Sequence, residues 1–179
     1  MKNDIKGLFA EKVQDFRLPA YSELPSTGLY LEQVTKYING LISPLGFAPL
    51  TPSMISNYVK KGVIDSPVKK QYYAEHIAYL IFVGMGKNVV SIDEISYIYD
   101  YQKTIYPCDV AYDYFCTELL NVLRYNAGLQ DEMENVGTTN TELKLMLRSV
   151  IICLSHLIFV TESIREFKRR EEDIGMNNE

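Results

Sequence analysis

The sequence predicts a mainly α protein, with a winged helix-turn-helix followed by a C-terminal helical pair. Apolar residues recur at helical spacing through most of the chain. Between residues 29 and 73, a helix, a turn, a sharply bounded polar helix and a basic hairpin follow in that order. The 179 residues, 47% of them hydrophobic, suffice for one or two small domains. The expected division is a winged helix-turn-helix domain with an N-terminal extended segment over residues 1–104 and a helical dimerisation region over residues 105–179.

The chain begins with a short helical start and a segment that covers the core. Residues 16–27 place apolar side chains around Pro19 and Pro25, which predicts an extended segment rather than a free tail. A helix over residues 29–42 follows, because its apolar residues fall on one face at helical spacing. Gly46 and its neighbours end that helix with a short turn.

The next helix has the clearest boundaries in the sequence. Thr51 is a good N-cap, and Pro52 follows at the first helical position, where its missing N–H is not needed. Lys60 and Lys61 fall in the last turn, and Gly62 stands where a glycine often ends a helix. This pattern predicts an amphipathic helix with a polar, cationic outer face.

A small basic hairpin is predicted after this helix. Val63 and Ile64 are interpreted as a first strand, Lys69 and Lys70 as the tip, and residues 71–73 as the returning strand. The hairpin would be the wing of a winged helix-turn-helix.

The remaining elements are helices and one acidic loop over residues 128–137. A helix over residues 74–85 is apolar almost all round, so it is expected to be buried on more than one side. Further helices are predicted after a capping box at residues 91–94, after a cap at Asp109, and after a second capping box at residues 139–142, the last running to Lys168 or beyond.

Charge is distributed unevenly along the chain. The net charge is −5, yet residues 51–90 carry +3 and residues 91–179 carry −8. Because local potential decides whether phosphates are attracted, the basic middle is compatible with double-stranded DNA. The base contacts are expected from Thr51, Ser53, Ser56 and Asn57. The phosphate contacts are expected from Lys60, Lys61, Lys69 and Lys70.

A resemblance strengthens this expectation. Residues 50–64 resemble the recognition-helix segment of MerR-type regulators, which carry a Thr/Ser-Pro start, an inward apolar residue, a Tyr and a Gly-Leu-Ile exit into the wing. The matching positions are Ile55, Tyr58, Gly62, Val63 and Ile64. The resemblance implies a transcriptional regulator. Serines stand on the helix where those proteins usually have arginines, so the phosphate contacts are expected to be weaker or to lie elsewhere.

A second resemblance covers residues 16–105. The segments 16–19, 23–25, 29–34 and 50–60 together resemble the YkrK-like family, a bacterial family of unknown function suspected of regulating transcription. Residues 106–179 carry no comparable resemblance.

The sequence gives no sign of an enzyme, a metal site or a cofactor. The three cysteines, Cys108, Cys116 and Cys153, match no disulfide framework, which indicates the cytoplasm. His76 and His156 lie far apart, and Cys153 with His156 is expected to be a pair of buried core residues. The apolar run in the last helix is too short and too polar to span a membrane.

A homodimer is predicted from the last helix. One apolar face can pack on the helix before it, and a second face with Ile152, Leu157 and Phe159 needs another partner. The N-terminal part of the same chain is the alternative cover for that face. The alternatives for function are a protein–protein adaptor, or a ligand sensor with an apolar pocket between the C-terminal helices, with the same fold and no DNA. The effector remains unknown.

Overall fold

Helices make up nearly all of the regular structure in the computed structural model, which describes residues 4–137 and 141–176. These residues form seven α-helices and no β-strand. The helices are α1 (Ile5–Gln14), α2 (Leu31–Ile42), α3 (Pro52–Lys60), α4 (Ala74–Gly86), α5 (Ile92–Lys103), α6 (Cys108–Ala127) and α7 (Glu142–Met176). The predicted mainly α class is confirmed.

The predicted helix caps of α3 and α5 are present. Thr51 Oγ1 accepts a hydrogen bond from the Met54 N–H at 3.2 Å, and Gly62 beyond α3 has a φ of +73°. Ser91 and Glu94 exchange two hydrogen bonds at the start of α5, which is the predicted capping box. Local sequence signals therefore locate both helices correctly.

Several helix boundaries differ from the predictions. α2 begins at Leu31 and not at residue 29, because Leu29 pairs with Tyr72. α4 ends at Gly86, one residue beyond its predicted end, and Gly84 within it lies close to α2, where an added Cβ would meet Ile42 Cδ1 at 3.1 Å. α6 begins at Cys108, so Asp109 lies in the first turn and is not its cap. The Lys144 N–H at the start of α7 donates to Thr141 Oγ1, while residues 139 and 140 of the predicted capping box lie outside the described residues.

The predicted strands of the wing are wrong for the described residues, where only isolated bridges join Val68 to Gln71 and Leu29 to Tyr72. Tyr72 exchanges both backbone hydrogen bonds with Leu29, at 2.9 and 2.8 Å. The next pair of the predicted hairpin, Ser66 with Tyr73, does not form, because the Tyr73 N–H donates to His76 Nδ1 and the Ser66 carbonyl lies 3.3 Å from His76 Nε2. The segment of residues 66–73, the lysine hairpin, is therefore held by bridges and loops.

The core is built around two central helices, α4 and α6. α4 packs between α2 and α6, and α6 also packs on α1 and α7. The extended segment behaves as predicted, since Phe16, Leu18 and Leu24 are buried. The Tyr21 N–H also donates to Asp113 Oδ1 at 2.7 Å, which attaches this segment to α6.

The 35-residue helix α7 reaches from the acidic loop to the turn between α2 and α3. Gly46 in that turn has a φ of +83°, and a Cβ there would meet Glu162 Oε1 at 3.1 Å and an Arg165 nitrogen at 3.3 Å. Lys12 of α1 pairs with the same Glu162 at 2.7 Å. The expectation that this helix is too short and too polar to span a membrane is wrong by length and composition, although core helices of soluble proteins pass the same test.

A buried ion pair joins α6 to α7. Glu118 has a fully buried side chain, and its Oε1 lies 3.0 Å from Arg148 Nε. Arg148 also donates to the backbone oxygen of Glu134 at 3.0 Å. Because an unpaired buried charge is strongly destabilising, Arg148 is expected to be essential to this contact.

Candidate nucleic-acid interface

Helix α3 turns its polar residues outward. Ile55 and Tyr58 are buried, and these two anchors fix the rotation of the helix. The four predicted base-contacting residues are all exposed: Thr51, Ser53, Ser56 and Asn57.

Two of these four side chains, Thr51 and Ser53, already form hydrogen bonds within the protein. Thr51 Oγ1 caps the helix and lies 2.9 Å from Ser53 Oγ. Ser56 and Asn57 make no side-chain hydrogen bond within the described residues. Asn57, whose amide offers donors and an acceptor, is therefore the best placed of the four to contact a base edge.

The turn before α3 is held by Asn39, a residue that the sequence interpretation missed. Its side-chain amide donates to the Leu50 carbonyl and accepts from the Leu50 N–H, both at 2.8 Å. This pair of bonds fixes the end of the α2–α3 turn and therefore the start of α3. The available signal was an amide inside a helix that is otherwise apolar on its inner face.

The tip of the lysine hairpin carries two residues in an unfavourable backbone conformation. Lys69 has a φ of 50° and Lys70 a φ of 65°. The two backbone hydrogen bonds between Val68 and Gln71, at 3.1 and 2.9 Å, close the turn around them. Hairpin turns with two positive φ values favour Asn-Gly, because the left-handed region costs other residues about 1 kcal/mol or more each. Both lysine side chains are exposed at this tip.

His76 attaches the lysine hairpin to the start of α4. Its Nδ1 accepts from the Tyr73 N–H at 3.1 Å, and its Nε2 lies 3.3 Å from the Ser66 carbonyl, to which it donates in that tautomer. Its ring meets the ring of Tyr72 edge-on, with centroids 5.7 Å apart. No sequence motif points to this role of His76, because its partners are a backbone N–H and a backbone carbonyl.

Helix α5 holds the loop that joins α3 to the hairpin. Lys103 Nζ lies 2.9 Å from Asp65 Oδ2, and Tyr99 Oη donates to the same oxygen at 3.4 Å. Asp65 is the acidic residue nearest to the hairpin in the sequence, and this pairing neutralises it. In contrast, the four predicted phosphate-binding lysines form no ion pair within the described residues, and all four are exposed. Their charges are therefore available to a polyanion.

The predicted site residues thus fall in two exposed sets, on α3 and at the hairpin tip. Among the residues with described positions, no three His, Cys, Asp or Glu side chains could hold a metal ion together. The expectation that Cys153 and His156 are buried is wrong, since both are exposed on α7. Their spacing places them on the solvent side of that helix, away from its contact with α6.

The model of one protein family matches residues 19–115, a little over half of the chain, and it is described as a domain of unknown function, DUF1836. The matched region runs from the extended segment through α2, α3 and the hairpin to the first part of α6. No curated protein and no solved structure shows significant similarity to the chain.

Proposed function

Since the chain belongs to the DUF1836 family, whose function is unknown, we propose from its own residues that it is a sequence-specific, DNA-binding transcriptional regulator. The observation that carries the proposal is the set of unpaired lysines on α3 and at the strained tip of the lysine hairpin, in a chain with a net charge of −5. Strained residues persist where the surrounding structure holds them, and they cluster at binding sites. Two exposed cations held this way are well suited to phosphates.

In this proposal α2 and α3 form the helix-turn-helix, and the lysine hairpin serves as a short wing without regular strands. Asn39 and Gly46 fix the turn, so α3 is presented with a set orientation to the major groove. The resemblance to MerR-type regulators supports this assignment. A cytoplasmic location belongs to the same proposal.

The direct test separates base contacts from phosphate contacts on one helix. We expect Asn57→Ala to change sequence preference by about 1–3 kcal/mol at one position while leaving the salt dependence unchanged. Lys60→Ala should do the opposite, reducing the slope of log K against log salt by about 0.9 with no change of preference. Fluorescence anisotropy with the protein's own upstream DNA, at several salt concentrations, measures both.

The alternative function, a protein–protein adaptor, predicts that the protein does not bind DNA. If the native protein shows no salt-dependent affinity for DNA in about 50 mM salt, where phosphate contacts act most strongly, DNA recognition is rejected. A protein–protein adaptor then replaces it.

We further propose a homodimer through an exposed stripe on α7. Met146, Cys153, Val160 and Phe167 recur every seventh residue and are all exposed, Val160 by 50% and Phe167 by 52%. We call these four residues the heptad stripe. Helices that pair along their length carry apolar residues at two positions of every seven. The heptad stripe supplies one of these positions, and Ile164, four residues after Val160 and 48% exposed, adds to the other.

This stripe differs from the face that the sequence indicated. Ile152, Leu157 and Phe159 are partly buried, and the Phe159 ring packs edge-on against Phe9 of α1 at 5.3 Å. The N-terminal part of the chain therefore contributes to covering that face, which was the alternative considered above. The heptad stripe remains uncovered, and a second copy of α7 is its expected partner.

We expect Val160→Glu to convert a dimer into particles of the 20.6 kDa monomer mass, because two charges would face each other in the interface. Leu129→Glu, a change at an exposed leucine in the loop after α6, is the matched control and should leave the dimer intact. Sedimentation equilibrium measures both. A native protein that is monomeric across micromolar concentrations contradicts the dimer.

A further inference from the structure

A cavity of about 590 Å³ lies between α4, α5, α6 and α7. Its wall is mainly apolar and rich in aromatic rings, which come from α4, α5 and α6, with Tyr106 added from the loop before α6. The rings from the three helices belong to Tyr79, Phe82, Tyr99, Tyr112, Tyr114 and Phe115. Small-molecule sites in proteins are typically about 300–1,000 Å³ and mostly apolar, with a few polar groups. This cavity has those dimensions and that chemistry.

Tyr114 carries a buried hydroxyl group that forms no hydrogen bond within the described residues. The Tyr112 hydroxyl is also buried, and its partner is the Cys116 thiol, a weak hydrogen-bonding group. Burial raises the pKa of Tyr114 to about 12, so its hydroxyl stays protonated at neutral pH. Since an unsatisfied buried hydroxyl is destabilising, Tyr114 would gain a partner when its ring turns toward an acceptor atom on a molecule in the cavity.

A second, smaller cavity of about 220 Å³ lies beneath the lysine hairpin. Asp65, Val68 and His76 line it, and it shares Tyr79 and Tyr99 with the larger cavity. These two rings, the tyrosine pair, stack with centroids 3.6 Å apart and planes 18° apart. The tyrosine pair is therefore the wall between the larger cavity and the space under the hairpin.

Helix α5 is suited to respond to a molecule in the cavity. Ile95 is its one fully buried side chain, so α5 is held less firmly than its neighbours. It carries Tyr99, whose ring lines the cavity and whose hydroxyl bonds Asp65, and Lys103, which pairs with the same carboxylate. A shift of α5 is thereby transmitted to the base of the lysine hairpin.

We propose that the larger cavity binds a planar, mostly apolar aromatic molecule with a hydrogen-bond acceptor, and that its entry displaces the lysine hairpin through Tyr99 and Asp65. The aromatic walls favour flat rings. The regulatory part of the inference rests on the proposed function, because the hairpin is there assigned to DNA.

The test uses the full chain and the dye 8-anilinonaphthalene-1-sulfonate, which has fused aromatic rings and sulfonate acceptors. We expect saturable binding of one dye per chain and slower hydrogen exchange in α6 residues that line the cavity. Ala111→Trp and Leu147→Phe fill the cavity from α6 and α7, and each folded variant should lose tenfold or more in dye affinity. Thermal unfolding verifies the fold of both.

The response of the hairpin is measured separately. Dye binding should alter the exchange of the Val68 and Gln71 amides and change DNA affinity about fivefold or more. Asp65→Ala should keep the dye affinity and lose the hairpin response. The proposed binding in the larger cavity is contradicted if dye binding leaves hydrogen exchange in α6 unchanged, or if it persists in the two cavity-filling variants. Dye in the cavity without a hairpin response overturns the coupling. Because hydrogen exchange needs no DNA, a protein that shows both exchange responses but no DNA affinity contradicts the proposed function alone.

Discussion

Replacing Lys69 and Lys70 with Asn and Gly is expected to make the protein more stable and a much weaker DNA binder. Both lysines have positive φ values, of 50° and 65°, in a turn that Asn-Gly adopts without strain. Removing this backbone strain should raise the free energy of unfolding by about 1 kcal/mol or more, which corresponds to a rise in Tm of roughly 2–4 °C for a chain of this size. Loss of two phosphate contacts should reduce the salt slope by about 1.8 and the affinity in about 50 mM salt by roughly 100-fold.

The opposite signs of the two effects make this variant informative. Thermal unfolding and anisotropy titrations on the same samples measure stability and affinity together. A control that removes two exposed lysines from α1 and α7, Lys6→Ala with Lys168→Ala, should change both quantities little. If the Asn-Gly variant binds DNA as well as the native chain does, the hairpin has no role in binding.

Arg148→Met is expected to destabilise the protein by about 3–5 kcal/mol at neutral pH, because it leaves the buried Glu118 charge unpaired. Burial raises the pKa of Glu118, while Arg148, Asn121 and Lys144 act against that rise. A carboxyl with a raised pKa in the folded state favours folding at low pH. That contribution is lost as the pH rises from the ordinary Glu value, about 4.3, through the raised one. Without Arg148 the pKa of Glu118 rises further, so more of the Glu118 carboxyl is protonated and uncharged near pH 5. The variant should therefore recover part of its stability at that pH.

Urea unfolding at pH 7 and near pH 5 tests this expectation. Arg124→Met, at an exposed arginine of α6, is the matched control and should lower the free energy of unfolding by about 0.5 kcal/mol or less. Adding Glu118→Gln to Arg148→Met should restore much of the loss, since no unpaired charge is then buried. A penalty for Arg148→Met that is equal at both pH values would show that the arginine acts through packing and its bond to Glu134 alone.

Signals that depend on a few neighbouring residues predicted the structure well. Thr51 and Pro52 located the start of α3, and the Ser91 capping box located the start of α5. Each such signal is a hydrogen bond or a steric restriction within one turn of helix, so no knowledge of the rest of the chain is required.

Features that depend on distant residues were missed or mistaken. Tyr72 pairs with Leu29, more than 40 residues earlier, and His76 takes the backbone groups of Ser66 and Tyr73, so the wing strands do not extend beyond isolated bridges in the described chain. The uncovered side of α7 could not be identified until α1 was seen against Phe159. The candidate site residues were all found exposed, but their strained backbone and the support from His76 are tertiary features without a sequence signature.

The contact of Gly46 with α7 has a mechanical consequence for the proposed dimer. Helix α7 has 35 residues, so it is a rigid rod roughly 50 Å long. Its Glu162 and Arg165 lie against the turn that orients α3, so the rod is fastened directly to the proposed DNA-reading element. If two α7 helices pair through Val160 and its neighbours, the rigid pair fixes the distance between the two α3 helices of the dimer. The distance between half-sites on the DNA is then set by helix geometry and not by a flexible linker.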